Sequence, residues 1–159
     1  MSEEDRRAPL RRTAAVLGYL GLLPFYGALV GIWLEQGDVG QASWRILIGY
    51  AAVILSFVGA VHWGLALNAP AHLTRLGPGA LTWSVLPALI AAAVLVFDLR
   101  GGAALLVLAA GFSGQFVADR RAQRTGLCPE WYLTLRGRLT AAVLAALLLG
   151  LLAAPRQLA

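Results

Sequence analysis

Charge is scarce in this sequence, and lysine is absent altogether. Only 13% of the 159 residues are charged, against roughly 25% in a typical soluble domain. All 13 basic residues are arginines, and the net charge is +5. Because they lie in short segments between long apolar runs, they are typical of topology signals and contacts with anionic lipids. We therefore predict no nucleic-acid binding.

Cysteine and histidine are also rare. The single cysteine, Cys128, excludes an internal disulfide, and no His or Cys lies at metal-ligand spacing from it. We recognise no catalytic, nucleotide or metal motif on the apolar segments. The sequence therefore predicts no metal site and no catalytic residues, favours a non-enzymatic protein, and names no cofactor.

Apolar residues are abundant, at 59% of the chain. They form five runs, each about long enough to cross a hydrocarbon core of roughly 30 Å. We predict an all-α, polytopic membrane protein, a bundle of five transmembrane helices. The expected organisation is an N-terminal arm over residues 1–12, a five-helix domain over 13–154 and a tail over 155–159. The spans are expected at about 13–34, 44–67, 79–97, 102–118 and 131–154.

Proline positions refine these spans. Pro24 and Pro87 are expected to kink the first and third helices and to expose backbone carbonyls that polar side chains can reach. Pro129 is well placed as a first helical residue, so the fifth helix is expected to begin near it.

The arginines predict an orientation. Since spans alternate sides, ten arginines share one side: Arg6, Arg7, Arg11, Arg12, Arg75, Arg120, Arg121, Arg124, Arg136 and Arg138. Three lie on the other: Arg45, Arg100 and Arg156. Positive residues are retained in the cytoplasm, so we predict a cytoplasmic N-terminus and an outside C-terminus.

Polar and aromatic residues concentrate in the predicted cytoplasmic half. Within spans such residues are costly and indicate function by default. We predict that His62, Trp83 and Gln115 meet at one depth, with His62 facing the bundle interior. The hypothetical ligand-binding cluster consists of Tyr19, His62, Trp63, Trp83, Ser84, Gln115 and Asp119.

Two of these residues carry open alternatives. His62 is either a packed imidazole bonded to Ser84 or Gln115, or a group that contacts a ligand or handles protons; haem ligation would need a second protomer. Asp119 either forms an exposed pair with Arg120 at the helix end or folds back towards His62. Carboxylate plus histidine suggests acid–base chemistry, but no nucleophile or metal partner accompanies them.

Several motifs resemble one known family. The sequence from about Ala14 to Leu151 is similar to the DUF3429 family of small bacterial membrane proteins, which are related to a mitochondrial transmembrane protein. The segments that carry the resemblance are 18–25 (GYLGLLPF), 59–64 (GAVHWG), 83–87 (WSVLP), 111–115 (GFSGQ) with Asp119-Arg120, and 129–132 (PEWY). It implies a multi-pass protein of the bacterial inner membrane, or a mitochondrial location. It implies no activity and assigns no site residue.

Two functions lead as hypotheses, ahead of a membrane enzyme that uses His62 and Asp119. The first is a non-enzymatic accessory or assembly subunit of a larger respiratory or photosynthetic complex, with the lipid bilayer and other membrane proteins as partners. The alternative is a binding protein or carrier for a small amphipathic molecule, such as a quinone, a lipid or a tetrapyrrole. Aromatic walls with a few polar groups are typical of such pockets.

Overall fold

The computed structural model describes residues 3–34, 37–99 and 101–157. Within these ranges the regular structure is entirely helical: α1 (Glu3–Leu20), α2 (Leu23–Leu34), α3 (Asp38–Leu67), a short 3-10 helix (Ala71–Leu76), α4 (Gly77–Val96), α5 (Gly101–Arg124) and α6 (Glu130–Gln157). Arg100, residues 1–2 of the predicted arm and residues 158–159 of the predicted tail lie outside the described residues.

Five helical segments of the described chain are long and apolar enough to cross a membrane. They are Ala8–Leu34, Asp38–Leu67, Ala71–Val96, Gly101–Arg124 and Glu130–Ala153. The predicted all-α bundle of five spans is confirmed. Because successive spans alternate in direction, the starts of α1, α4 and α6 lie on the same side of the bundle as the ends of α3 and α5. We name this the amino-terminal side, and the other the opposite side.

The first span is two helices rather than one kinked helix. The chain turns at Gly21 and Leu22, and Pro24 becomes the second residue of α2. That position suits proline, because an N–H in a first helical turn has no partner within the helix. The hydroxyl of Tyr50 on α3 donates to the Gly21 carbonyl at 3.0 Å, so the break is held from a neighbouring helix.

The helix α4, in contrast, continues through Pro87. The proline ring packs against Gly59 of α3, where a Cβ atom would lie 2.8 Å from the ring carbons and 3.1 Å from the Ser84 carbonyl oxygen. Glycine therefore permits the close approach of α3 and α4 at this level, as small residues do at membrane helix interfaces.

The helix α5 extends beyond its predicted end at residue 118. It reaches Arg124, and Gly126 follows with φ at +83°. A residue with positive φ after the last turn is a common helix terminator, and Leu127 N–H donates to the Ala122 carbonyl. The prediction counted only apolar residues, but Asp119 and Arg120 are helical too. As a result, Asp119 lies inside the bundle rather than at a helix end.

Among the described residues, the side chains buried in the core of the opposite side are apolar. Its large, fully buried members include Leu47, Leu105, Leu108 and Leu147. Glycines tighten this packing: a Cβ on Gly150 would lie 2.8 Å from Leu47 Cδ2. Many large apolar side chains face outward, as expected when lipid is the solvent.

Candidate functional site

A polar cluster joins four helices on the amino-terminal side. We define it as His62 of α3, Trp83 of α4, Gln115 and Asp119 of α5, and Arg136 of α6. His62 and Asp119 lie within about two turns of the ends of their helices, and Trp83 and Arg136 within about two turns of the starts. The predicted meeting of His62, Trp83 and Gln115, with His62 buried, is confirmed.

Gln115 is the centre of the cluster. Its Oε1 accepts a hydrogen bond from the indole Nε1 of Trp83 at 3.0 Å. Because an indole N–H can only donate, this bond fixes which end of the amide faces Trp83. Gln115 Nε2 then donates to Asp119 Oδ1 at 3.1 Å and lies 2.9 Å from His62 Nδ1. His62 Nδ1 and Asp119 Oδ1 are 3.7 Å apart, so the amide nitrogen connects them.

Asp119 and Arg136 form a buried ion pair. Arg136 Nε donates to Asp119 Oδ2 at 3.1 Å, and the two residues are 0% and 7% exposed. The interpretation of Asp119 as an exposed partner of Arg120 was therefore wrong. A buried carboxylate needs a compensating charge and hydrogen bonds, and Arg136 and Gln115 supply both.

Arg136 was missed as a site residue because it was counted as a loop arginine. One signal could have found it. Tyr132, Arg136 and Thr140 follow one another at intervals of four residues, which places them on one face of a helix. A polar line of this kind inside a predicted span indicates a face turned towards the bundle interior.

Three members of the predicted site residues stand apart from the cluster. Tyr19 and Trp63 point outward and are 46% and 50% exposed. Ser84 is buried, but its hydroxyl donates to the Leu81 carbonyl of its own helix at 2.6 Å. Their predicted role in ligand binding stays a prediction.

An apolar cleft lies beside the polar cluster, between the first span, α3 and α6. Its volume is about 580 Å³. The residues that line it are mostly aliphatic or aromatic, and they include Leu17, Leu22, Phe25, Val53, Ile54, Phe57, Phe112, Leu135, Leu139 and Val143. Leu17, Val53 and Phe57 are also more than half exposed on the outer surface, so the cleft reaches the side of the bundle that faces lipid.

Three polar residues of the cleft come from α6, and Tyr50 of α3 also lines it, with its hydroxyl bonded to the Gly21 carbonyl. Tyr132, Arg136 and Thr140 line it, and each has a buried polar atom for which the described chain provides no hydrogen-bond partner: Tyr132 Oη, Arg136 Nη2 and Thr140 Oγ1. Arg136 thus uses Nε for Asp119 and has Nη2 left over. Arg136 and Thr140 are themselves more than nine-tenths buried.

The turn between α5 and α6 carries the cysteine. Cys128 is a free, buried thiol, and burial raises its pKa to about 11. It is therefore protonated at neutral pH. No group of three or more His, Cys, Asp or Glu side chains suited to a metal ion occurs among the residues that the structure describes.

Comparison with known proteins identifies the family. The profile of DUF3429, described as a protein of unknown function, matches residues 10–152. The chain belongs to the DUF3429 family. It is also 32% identical to transmembrane protein 69 of Xenopus tropicalis, in an alignment that covers 81% of this chain and 49% of that protein. It thus spans about half the length of this curated relative. No solved structure matches it.

The match includes both halves of the candidate site. Residues 10–152 contain every member of the polar cluster and every residue that lines the cleft. This DUF3429 protein is thus a multi-pass membrane protein, and its matched region holds a buried ion pair next to an apolar cleft.

Proposed function

We propose that this DUF3429 protein binds a small amphipathic molecule in the cleft, in the class that includes quinones, lipids and tetrapyrroles. One observation carries the proposal. Three buried polar atoms of α6, on Tyr132, Arg136 and Thr140, lack a hydrogen-bond partner in the described chain, and all three residues line one apolar cleft.

The energetic argument is simple. A buried polar group without a partner costs about 1–3 kcal/mol, and no bulk water enters a bilayer core to satisfy it. Three such groups on one helix face are a large local cost. A bound molecule with a hydrogen-bonding end would offset that cost, and its apolar part would fill the rest of the cleft.

The size and position of the cleft agree with this role. A volume of about 580 Å³ lies within the range of roughly 300–1,000 Å³ that is usual for small-molecule sites. Because Leu17, Val53 and Phe57 reach the outer surface, an apolar molecule could enter sideways from the membrane. The proposed role is binding or carriage rather than catalysis, since the Asp119 carboxylate is engaged by Arg136 and Gln115.

The test is recovery of the bound molecule. The protein is extracted in native lipid nanodiscs, and co-purifying small molecules are quantified by mass spectrometry. Ala14 lines the cleft, so Ala14→Phe should fill it and remove the bound species. Ala60 of α3 is exposed and outside the lining, so Ala60→Phe is the matched control. Equal recovery of every small molecule from all three proteins would refute the proposal.

The second candidate is an accessory or assembly subunit of a larger respiratory or photosynthetic complex. The observation that favours it is a small, open surface on the first span. Gly31 packs against Ser43, whereas a Cβ on Gly27 would meet nothing within 4 Å, so Gly27 leaves room for another helix. Gly27→Leu should then abolish recovery of a stoichiometric complex, while Ala14→Phe should not. Recovery of the protein alone from its native membrane would count against this candidate.

We also propose the orientation and location. The arginines, nine to three once the buried Arg136 is set aside, support a cytoplasmic N-terminus and an outside C-terminus. Of the two locations that the family resemblance implies, bacterial inner membrane and mitochondrion, we propose the bacterial inner membrane. Reporter fusions at the C-terminus should give a periplasmic signal, and fusions after Gly126 a cytoplasmic one. The reverse pattern would place the polar cluster in the outer half.

A further inference from the structure

The unpartnered atoms that line the cleft indicate which polar group a bound molecule would need. Arg136 Nη2 is a pure donor, and the Tyr132 and Thr140 hydroxyls can each donate. Their four-residue spacing on α6 aligns them along one face. A group that accepts hydrogen bonds through oxygen matches the donors that these atoms offer, whereas an ammonium group would meet the Arg136 guanidinium with like charge.

The charges of Arg136 and Asp119 also restrict the charge that the bound molecule can carry. Arg136 is the charged side chain among the described residues that line the cleft, and Asp119 Oδ2 lies 3.1 Å from its Nε. Arg136 is 7% exposed and Asp119 is fully buried, so neither charge is balanced by water. The pair is neutral, and a carboxylate or phosphate entering the cleft would add a buried charge without a counterion.

Two other members of the polar cluster keep Asp119 in position to neutralise the charge of Arg136. Gln115 Nε2 donates to Asp119 Oδ1, and the Trp83 indole fixes the orientation of that amide. The carboxylate is thus bonded through both oxygens and is not free to turn away from Arg136. Asp119 itself does not line the cleft.

We infer that the cleft selects an uncharged amphipathic molecule whose polar end is a carbonyl-type oxygen acceptor, as in a ketone, an ester or a quinone. In this inference Asp119 determines specificity: by neutralising Arg136 it excludes molecules with an anionic end. The inference rests on the proposed binding function and adds the chemical class of the ligand.

The experiment compares two probes of equal chain length, a long-chain methyl ketone and the corresponding carboxylate. Equilibrium binding of each labelled probe is measured on the full chain in phosphatidylcholine nanodiscs, at a pH at which the acid is ionised. Wild type should bind the ketone about tenfold or more tightly than the carboxylate, because an unpaired buried charge is costly. Asp119→Asn should reverse the preference, since it leaves Arg136 in need of an anion.

Glu130→Gln is the matched control. Glu130 lies exposed in the first turn of α6, so this variant removes one negative charge without changing the ion pair, and it should keep the wild-type preference. Thr140→Val removes one hydroxyl and no charge, and it should weaken ketone binding while leaving the carboxylate disfavoured. Even if Asp119→Asn does not fold, wild type and Thr140→Val still test whether the cleft prefers an uncharged oxygen acceptor.

The outcomes separate this inference from the proposed function. Wild type that binds the carboxylate as tightly as the ketone, with both probes displaced by Ala14→Phe, would overturn the inference and leave the binding function standing. Failure of both probes to bind wild type, or undiminished binding to Ala14→Phe, would overturn both. An unchanged preference in folded Asp119→Asn would contradict the specificity role of Asp119.

Discussion

The two sides of this bundle fill their interiors in different ways. On the opposite side, leucine side chains meet glycines at close range, as Leu47 meets Gly150 and Leu151 meets Gly102. On the amino-terminal side, the interior holds a buried ion pair, an amide and a cleft of about 580 Å³. Close packing is enough for stability in lipid, so the polar, incompletely filled side is the one that suggests a function.

The comparison predicts its largest effect at Asp119. Asp119→Ala leaves the Arg136 guanidinium buried without its counterion, and removing one partner of a buried pair costs about 3–5 kcal/mol. Asp38→Ala, at an exposed position in the first turn of α3, should cost far less. The measurement is the free energy of unfolding in mixed micelles. Equal losses for the two variants would mean that the pair adds little to folding.

Gln115→Leu should have the next largest effect. It removes the acceptor of the Trp83 indole and the donor to Asp119. Leaving buried groups without partners costs about 1–3 kcal/mol. Gln41→Leu, at an exposed position of α3, is the control for the change of residue type and should be nearly neutral in the same unfolding assay. A neutral Gln115→Leu would show that the cluster is looser than its distances suggest.

Glycine-to-alanine substitutions test how tightly the helices pack on the opposite side. Gly150→Ala places a methyl group 2.8 Å from Leu47 Cδ2 and 3.1 Å from Leu105 Cδ1, and both leucines are buried with little room to move. Overpacking of this kind costs about 1–3 kcal/mol. Gly114→Ala meets nothing within 4 Å and should gain up to about 1 kcal/mol from helix propensity. Similar unfolding energies for the two variants would refute tight packing here.

His62→Gln should change stability least among the cluster variants. Interhelical hydrogen bonds in membranes average about 0.6 kcal/mol, and glutamine keeps much of the bonding capacity towards Gln115. His62→Ala should lose somewhat more. Normal folding of both variants, combined with loss of the bound molecule in both, would mark His62 as a ligand-contacting or proton-handling residue instead.

The reactivity of the Cys128 thiol tests whether the turn between α5 and α6 is buried, and it needs no substitution. Burial raises its pKa to about 11, so the reactive thiolate is scarce at neutral pH and becomes abundant only as the pH rises towards that value. Alkylation of the folded protein should therefore be slow at neutral pH and faster at higher pH, while the unfolded protein should react readily at neutral pH. Rapid alkylation of the folded protein at neutral pH would contradict the burial of this turn.

Sequence reasoning succeeded where one periodic property decides the outcome. The five spans and the meeting of His62, Trp83 and Gln115 follow from apolar length and from depth along each helix. It failed for Asp119 and Arg136, because a charged residue near a span end looks the same whether it faces water or a partner helix. The choice depends on where α5 ends, and the glycine turn at Gly126 decides that.

The cleft could not have been predicted from the sequence. Its existence depends on the turn at Gly21 and Leu22, and on the way α1 lies against α6, where Leu139 closely contacts Gly18. The sequence alone does not show where the apolar faces of neighbouring helices separate and leave a space between them. The line of Tyr132, Arg136 and Thr140 was visible, but its meaning depends on the space in front of it.

The most direct test of the account maps where a bound molecule lies. A long-chain methyl ketone carrying a diazirine is photolysed with the protein in nanodiscs, and the labelled peptides are sequenced. The account predicts label on α6 between Tyr132 and Val143 and on the cleft face of α3, lost in Ala14→Phe and retained in Ala60→Phe. Label spread over outward residues such as Leu89 and Leu152, and unchanged in Ala14→Phe, would contradict it.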